Sequence, residues 1–366
     1  MEARSLSRWG LAIVAILAFE AFALLMVTVG VANLGYDYQA YSQAAHRILD
    51  GAPLYDLSVN VAGGFAIYLY PPPFVLAFLP FALLPDQAAL WQWEAVAIGS
   101  IVTGIAILPV KTRVRWIMLV LSIISWPVLY SILLGQVGPL LFLLFAIGWR
   151  WRDNPVVLGI SIAAGALIKV QPIILLGWAG LTGRWRAVTI SLATMAIAAL
   201  VATIVFGPGV WSDYFALLGR VNSSVTTPNG YSVGAILYKA GVAEGTAQTI
   251  QLFVTVAIVA VVAIAILTAS HEVSYITTVV ASQILSPLVW DHYAVVLILP
   301  TAWLLERGRW WGLLIMLITS LPTILFLPAA IYPVLFGVGL VAPMLVEAID
   351  RRRAAPVTPS PAMGHA

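Results

Sequence analysis

Cysteine is absent from the 366 residues, which excludes disulfides, thiolate catalysis and Cys-ligated metal and leaves the redox compartment undecided. Charge is nearly as scarce. Charged residues make up 9% of the chain and hydrophobic residues 62%, whereas ordinary soluble domains carry roughly 25% charged residues. So few charges cannot cover the surface of a soluble protein of this length, but a bilayer solvates apolar side chains directly. Phosphate-binding G-x-x-x-x-G-K-S/T, a G-x-G-x-x-G after a strand and H-E-x-x-H are also missing, so nucleotide-driven transport and zinc hydrolysis have no support. No soluble segment is long enough to hold a nucleotide sugar.

What remains is a succession of apolar segments, with Trp 14 and Tyr 13 as material for interfacial belts. The net charge of +3 comes from short clusters between these segments, not from a basic face interleaved with aromatics, so no nucleic acid is expected as a partner. The run from Trp9 to Val31 exceeds the roughly 7–15-residue core of a signal peptide and reads as a first membrane helix. The prediction is an all-α, polytopic transmembrane helix bundle of about 11–13 membrane helices. Residues 1–350 form one membrane domain, and 351–366 a disordered cytoplasmic tail.

Two kinds of polar patch alternate along the chain. Basic patches fall at Lys111, Arg113 and Arg115, at Arg150 and Arg152, at Arg184 and Arg186, at Arg307 and Arg309, and at Arg351, Arg352 and Arg353. The positive-inside rule puts them in the cytoplasm. Patches rich in Gly, Pro and aromatics fall at about 32–73, 135–139, 169–172, 207–232 and 286–293, on the opposite side, where the two long loops run over about 32–73 and 207–246. The first of these loops contains an amphipathic stretch, Tyr38–Leu49, suited to the interface. Leu140–Gly148, Val156–Ile168 and Ile173–Leu181 fall short of the ~20 residues that cross a bilayer. Short helices of this kind turn back at membrane depth and floor a water-filled cavity. Between 71 and 115 the pattern conflicts: if Phe74–Leu84 and Ala88–Leu108 both span, the cluster at 111–115 lands outside. Either one of the two is a non-spanning hairpin, or that cluster breaks the rule.

Polar residues outside the basic clusters need a reason, because a Lys or Asp at the centre of a membrane helix costs about 2.5–3.5 kcal/mol. Asp37, between Tyr36 and Tyr38, is placed to take a proton from a hydroxyl nucleophile, or simply to cap the helix that follows. Asp56 reads as a turn or cap. Lys169 interrupts an apolar run three residues before the helix-breaking Pro172 and calls for an anion such as phosphate. Its plainer reading is snorkelling or pairing with Glu20 or Glu94. Asp291, His292 and Tyr293 in a row cannot all face lipid, so His292 either donates to a phosphate or sugar oxygen or hydrogen-bonds a neighbouring helix. Gln136, in a tight Gly135–Pro139 turn, is either a sugar contact or part of the turn. Tyr70-Pro71-Pro72-Pro73 reads as architecture. His46, Arg47 and Arg220 are outside candidates for an anion and more plainly solvated.

Taken in order, Asp37-Tyr38 with Tyr41 and Ala44, then Gly51, Leu54-Tyr55-Asp56 and Tyr70-Pro71-Pro72-Pro73 form one half of a pattern. Gly135-Gln136, Lys169-Val170-Gln171-Pro172, Leu285-Ser286-Pro287, Trp290 and His292-Tyr293 form the other. Over about residues 10–345 this resembles the family 87 glycosyltransferases, polytopic enzymes of the C-type fold that use polyprenyl-phosphate-linked sugars. Gly138 stands where the family often has Asn, and Asn229-Gly230-Tyr231-Ser232 where it has Asn-Gln-Ser.

The resemblance implies inverting transfer of a sugar, mannose before arabinofuranose, to a glycolipid or polysaccharide hydroxyl outside the plasma membrane. Asp37 would be the base, and Lys169 and His292 would hold the donor phosphate. Tyr38, Gln136, Gln171, Asp291, Tyr293 and Asn229 would contact substrate more weakly. The donor, the acceptor and membrane lipid are the expected partners. No cofactor is implied and no metal site is assigned, although Asp56 or Asp291 could join Asp37 around a divalent ion. The rival classes are a transporter or flippase for a lipid-linked or anionic solute, which should show an internal repeat, and a non-catalytic scaffold.

Overall fold

A computed structural model describes residues 34–58, 67–220, 224–227, 230–286, 288–328 and 330–354. The first helix expected over Trp9–Val31, Glu20, Asn229, Pro287 and most of the expected tail lie outside the described residues. Every regular element among those described is helical and none is a strand, in keeping with an all-α polytopic membrane protein.

Among the described residues four helices are long and apolar enough to cross a membrane: Asp86–Ile107, Trp185–Phe206, Glu244–Thr268 and Ile331–Ala354. In chain order the helices that position the site are α1 (Tyr38–Leu49), α2 (Pro72–Val75), α3 (Leu79–Ala82) and α4 (Asp86–Ile107). They continue with α5 (Thr112–Ile124), α6 (Trp126–Leu133), α7 (Gly138–Arg150), α8 (Pro155–Ile168), α9 (Ile174–Leu181) and α10 (Trp185–Phe206). The 3₁₀ turn Asp291–Leu297 completes them.

The conflict between 71 and 115 is settled by a break. Phe74–Leu84 is not one helix but the end of α2 and the single turn of α3, with Pro80 at the start of the latter. Each has four residues, about 6 Å of rise, so neither crosses. Only α4 spans here, and the basic cluster falls on the same end as the others. Lys111 pairs with Glu306 at 3.2 Å and the Arg113 guanidinium lies 5.1 Å from the Trp310 ring. Arg184 pairs with Asp153 at 3.0 Å, and Arg307 with Glu272 at 3.1 Å. Glu272 also accepts from the Trp149 and Trp303 indoles. Arg309 bonds Asp350, and Arg351 pairs with Glu347. All five basic patches thus meet at one end of the bundle. The last helix runs on through Arg351–Arg353 to Ala354, so the tail expected from 351 begins with a helical turn.

The short helices are as the sequence implies. Asn154 caps α8 by accepting from the Val156 and Val157 amides at 3.1 and 3.2 Å, and Pro155 occupies the first turn. The helix stops at Lys169, where the backbone turns extended ahead of Pro172. Its most extensive partner is α10, which also starts at the basic end, and a Cβ on Gly159 would come 2.7 Å from the Ala187 carbonyl. Such glycines let membrane helices approach backbone to backbone. At 1.5 Å per residue α8 rises about 21 Å and α10 about 33 Å. Lys169 therefore lies roughly 12 Å below the far end of its spanning neighbour, and α9 returns to the basic end from there.

Candidate active site

The loop before α1 is pinned to the far end of α6. The Gly35 amide donates to the Leu133 carbonyl at 2.8 Å, and the Asp37 and Tyr38 amides donate to Leu134 at 2.8 and 3.1 Å. Asp37 occupies the cap position of α1, yet its side chain makes no capping hydrogen bond. Its Oδ2 instead accepts from Gln136 Nε2 at 2.7 Å, across 99 residues of sequence. Gln136 is buried, and its Oε1 accepts from the Val137 amide. The carboxylate is half-buried.

Gln136 reaches Asp37 because Gly135 turns the chain with a φ of +67°. A Cβ there would lie 2.7 Å from Tyr38 Cβ, while Trp93 Nε1 donates to the Gly135 carbonyl at 2.7 Å. Gly135→Ala is expected to cost about 1–3 kcal/mol from the backbone conformation alone and to displace Asp37. Thermal unfolding in detergent, with transfer activity falling in parallel, checks it.

Lys169 sits at the junction of α8 and the 171–173 turn. Its Nζ donates to the Tyr293 hydroxyl at 3.1 Å and lies 4.4 Å from the Tyr293 ring and 5.7 Å from the Tyr70 ring. No carboxylate among the described residues forms an ion pair with it. Of the two partners suggested by the plainer reading, Glu20 lies outside the described residues, and Glu94 is buried with neither oxygen hydrogen-bonded among the described residues. Asp37 lies close enough to act electrostatically on both Lys169 and Tyr70. Acid and lysine, 132 positions apart in the numbering, therefore share one region.

His292 is buried beside them, its ring 5.1 Å from that of Tyr293. Among the described residues neither ring nitrogen has a hydrogen-bond partner, and Nδ1 is 3.6 Å from Asp291 Oδ1, beyond hydrogen-bond range. The imidazole lines a small cavity with Gly138, Phe142, Gln283 and Tyr293. Asp291 is turned inward: Oδ2 accepts from Trp126 Nε1 at 2.7 Å and Oδ1 from the His292 amide at 2.8 Å. Gln171 donates to Ser286 Oγ at 2.9 Å, joining the α8–α9 junction to the 286–293 segment. The Tyr38 ring is buried against Phe78.

Other sequence candidates stand apart. Asp56 accepts from the Ser58 hydroxyl at 2.6 Å and amide at 2.9 Å, bonds that hold its carboxyl below the usual carboxylate range. Arg47 pairs with Asp56, His46 lies 3.7 Å from Asp86, and Arg220 donates to the Leu57 carbonyl. Among the described residues no group of three or more His, Asp or Glu side chains is close enough to hold a metal ion. Sequence reading passed over Tyr70 as architecture and did not single out Trp126 or Tyr130. Only the Tyr70-Pro71 step, an aromatic fixed ahead of a rigid run, offered a signal.

Residues 68–290 match the family model of glycosyltransferase family 87. The chain belongs to that family. The matched region takes in Tyr70, Gln136, Lys169 and Gln171 and ends at Trp290. Among curated proteins, the polyprenol-phosphate-mannose-dependent alpha-(1-2)-phosphatidylinositol mannoside mannosyltransferase of Mycobacterium tuberculosis is 26% identical over 199 residues. The alignment covers 48% of this chain and 46% of the relative, so it spans slightly less than half of that protein. Within this family 87 chain, Asp37, Lys169 and His292 gather at the end of the bundle away from the basic patches.

Proposed function

We propose that the protein transfers a sugar, mannose first, from a polyprenyl-phosphate-linked donor to a hydroxyl of a cell-envelope glycolipid or polysaccharide, with inversion at the anomeric carbon. The observation that carries this reading is Asp37, held by Gln136 within electrostatic reach of a membrane-embedded Lys169 that forms no ion pair with a carboxylate among the described residues. A lysine so placed is completed by an anionic ligand, and a phosphate fits its single, compact charge.

In the proposed displacement Asp37 takes the proton of the acceptor hydroxyl as its oxygen bonds to the anomeric carbon. The bond from that carbon to the phosphate oxygen breaks, and its electron pair leaves with the polyprenyl phosphate. Lys169, the Tyr293 hydroxyl and, by a rotated or protonated ring, His292 stabilise the charge that develops there. No step is assigned to a metal. The positive-inside rule supports a cytoplasmic basic end, and the proposed reading puts the site on the outer face of the plasma membrane.

The test is transfer by the purified, reconstituted protein from radiolabelled polyprenyl-phosphate mannose. Transfer to glycolipid is expected, with none from GDP-mannose. Running polyprenyl-phosphate arabinofuranose alongside decides the sugar. Absence of transfer from either donor, together with solute flux in the same proteoliposomes, overturns the reading in favour of a transporter.

A further inference from the structure

The break between α5 and α6 builds a feature to which the proposed displacement gives no role. Ser125 is extended (φ −73°, ψ 117°), the Trp126 amide donates to the Thr319 carbonyl at 2.8 Å, and Pro127 opens α6. Trp126 and Tyr130, one turn apart, stack with centroids 4.6 Å apart and planes 16° from parallel. Both rings are only partly buried. The Trp126 indole is held by Asp291, which is 5% exposed and has both oxygens engaged. A buried carboxylate is costly unless its hydrogen bonds are made, and one of the bonds here fixes the orientation of a half-open ring.

The same helix carries the acid. Asp37 docks on the Leu134 carbonyl, one turn beyond Tyr130 on the same face, a rise of about 6 Å. Asp37 and Asp291 both lie within electrostatic reach of the Tyr130 hydroxyl, and the His292 ring is 6.2 Å from the Tyr130 ring. Tyr293, Tyr70 and Asp37 all lie within electrostatic reach of Lys169. The two groups therefore meet at Asp37, one on the phosphate side and one beyond it. Building on the transferase reading, we propose that the outer face of Tyr130, backed by Trp126 across the stacked pair, is the platform on which the acceptor's sugar ring stacks, with Asp291 as the positioning residue for Trp126. The faces of sugar rings carry C–H bonds that pack on the negative face of an aromatic. A ring resting on Tyr130 brings a hydroxyl to Asp37, one helical turn away.

The test measures kcat and both KM values with polyprenyl-phosphate mannose as donor and octyl mannoside as acceptor probe. Trp126→Leu and Tyr130→Leu are expected to raise the acceptor KM about tenfold, an ordinary loss for one aromatic contact, with donor KM held within about twofold. Tyr130→Phe, which keeps the ring, should stay near wild type. Asp291→Asn keeps one acceptor for Trp126 and should raise the acceptor KM less than Trp126→Leu does. Saturation-transfer NMR of octyl mannoside on wild-type protein, which depends on no variant folding, should favour the C–H protons of one ring face. An unchanged acceptor KM in the leucine variants, or uniform saturation, overturns the platform while wild-type transfer keeps the transferase reading. No transfer by the wild-type protein overturns both.

Discussion

Asp37→Asn is expected to cut sugar transfer by roughly 10²–10⁴-fold, the contribution of a positioned general base, while the protein folds and binds donor as before. Asparagine keeps an oxygen to accept from Gln136 Nε2, and the backbone bonds from residues 35–38 to Leu133 and Leu134 do not involve the side chain. What is lost is the capacity to take a proton. Single-turnover measurements with saturating donor check this, with donor KM as the internal control. Full transfer by the Asn variant would mean that Asp37 only shapes the loop and that another group takes the acceptor's proton. Because the side chain makes no capping hydrogen bond, loss of a helix cap is not expected to confuse the outcome.

Lys169→Ala carries the second large effect. Removing one preorganised donor from a developing oxyanion costs about 10²–10³-fold in kcat, and here the same group also holds the ground-state phosphate, so donor KM should rise as well. Lys169→Arg is not expected to rescue. The ammonium fits between the Tyr293 hydroxyl and the rings of Tyr293 and Tyr70, and a planar guanidinium presents its donors in a different geometry. If both kcat and donor KM stay at wild-type values in Lys169→Ala, the phosphate lies elsewhere. Acceptor KM should move little, which separates this variant from changes at Trp126 and Tyr130.

The parts of this architecture that the sequence made legible are those written in local chemistry. Helix Tyr38–Leu49 follows from its own amphipathic spacing, and the end of Pro155–Ile168 follows from Pro172. The short apolar segments were visible by length alone. The run from Phe74 to Leu84 left two alternatives open because its hydropathy is continuous, and the break ahead of Pro80 decides for the non-spanning one.

The site was legible only as a set of unexplained polar residues. Nothing in the spacing joins Asp37 to Gln136 or Trp126 to Asp291, pairs separated by 99 and 165 residues. The choice between a capping and a free Asp37 is a matter of side-chain rotamer, which no periodicity records. Gly135 was visible as a turn, but its value lies in the closeness of Tyr38, a tertiary fact.

The unequal rise of the two parallel neighbours at the α8–α10 contact has a kinetic consequence. Lys169 stands about 12 Å short of the end of the helix beside it, so a reactant whose head group meets it never leaves the lipid phase. The relevant concentration is then a mole fraction in the bilayer plane, not a molarity. Rates should follow donor per lipid and fall when inert lipid or detergent is added at constant bulk donor, because each added amphiphile dilutes the surface on which the encounter takes place.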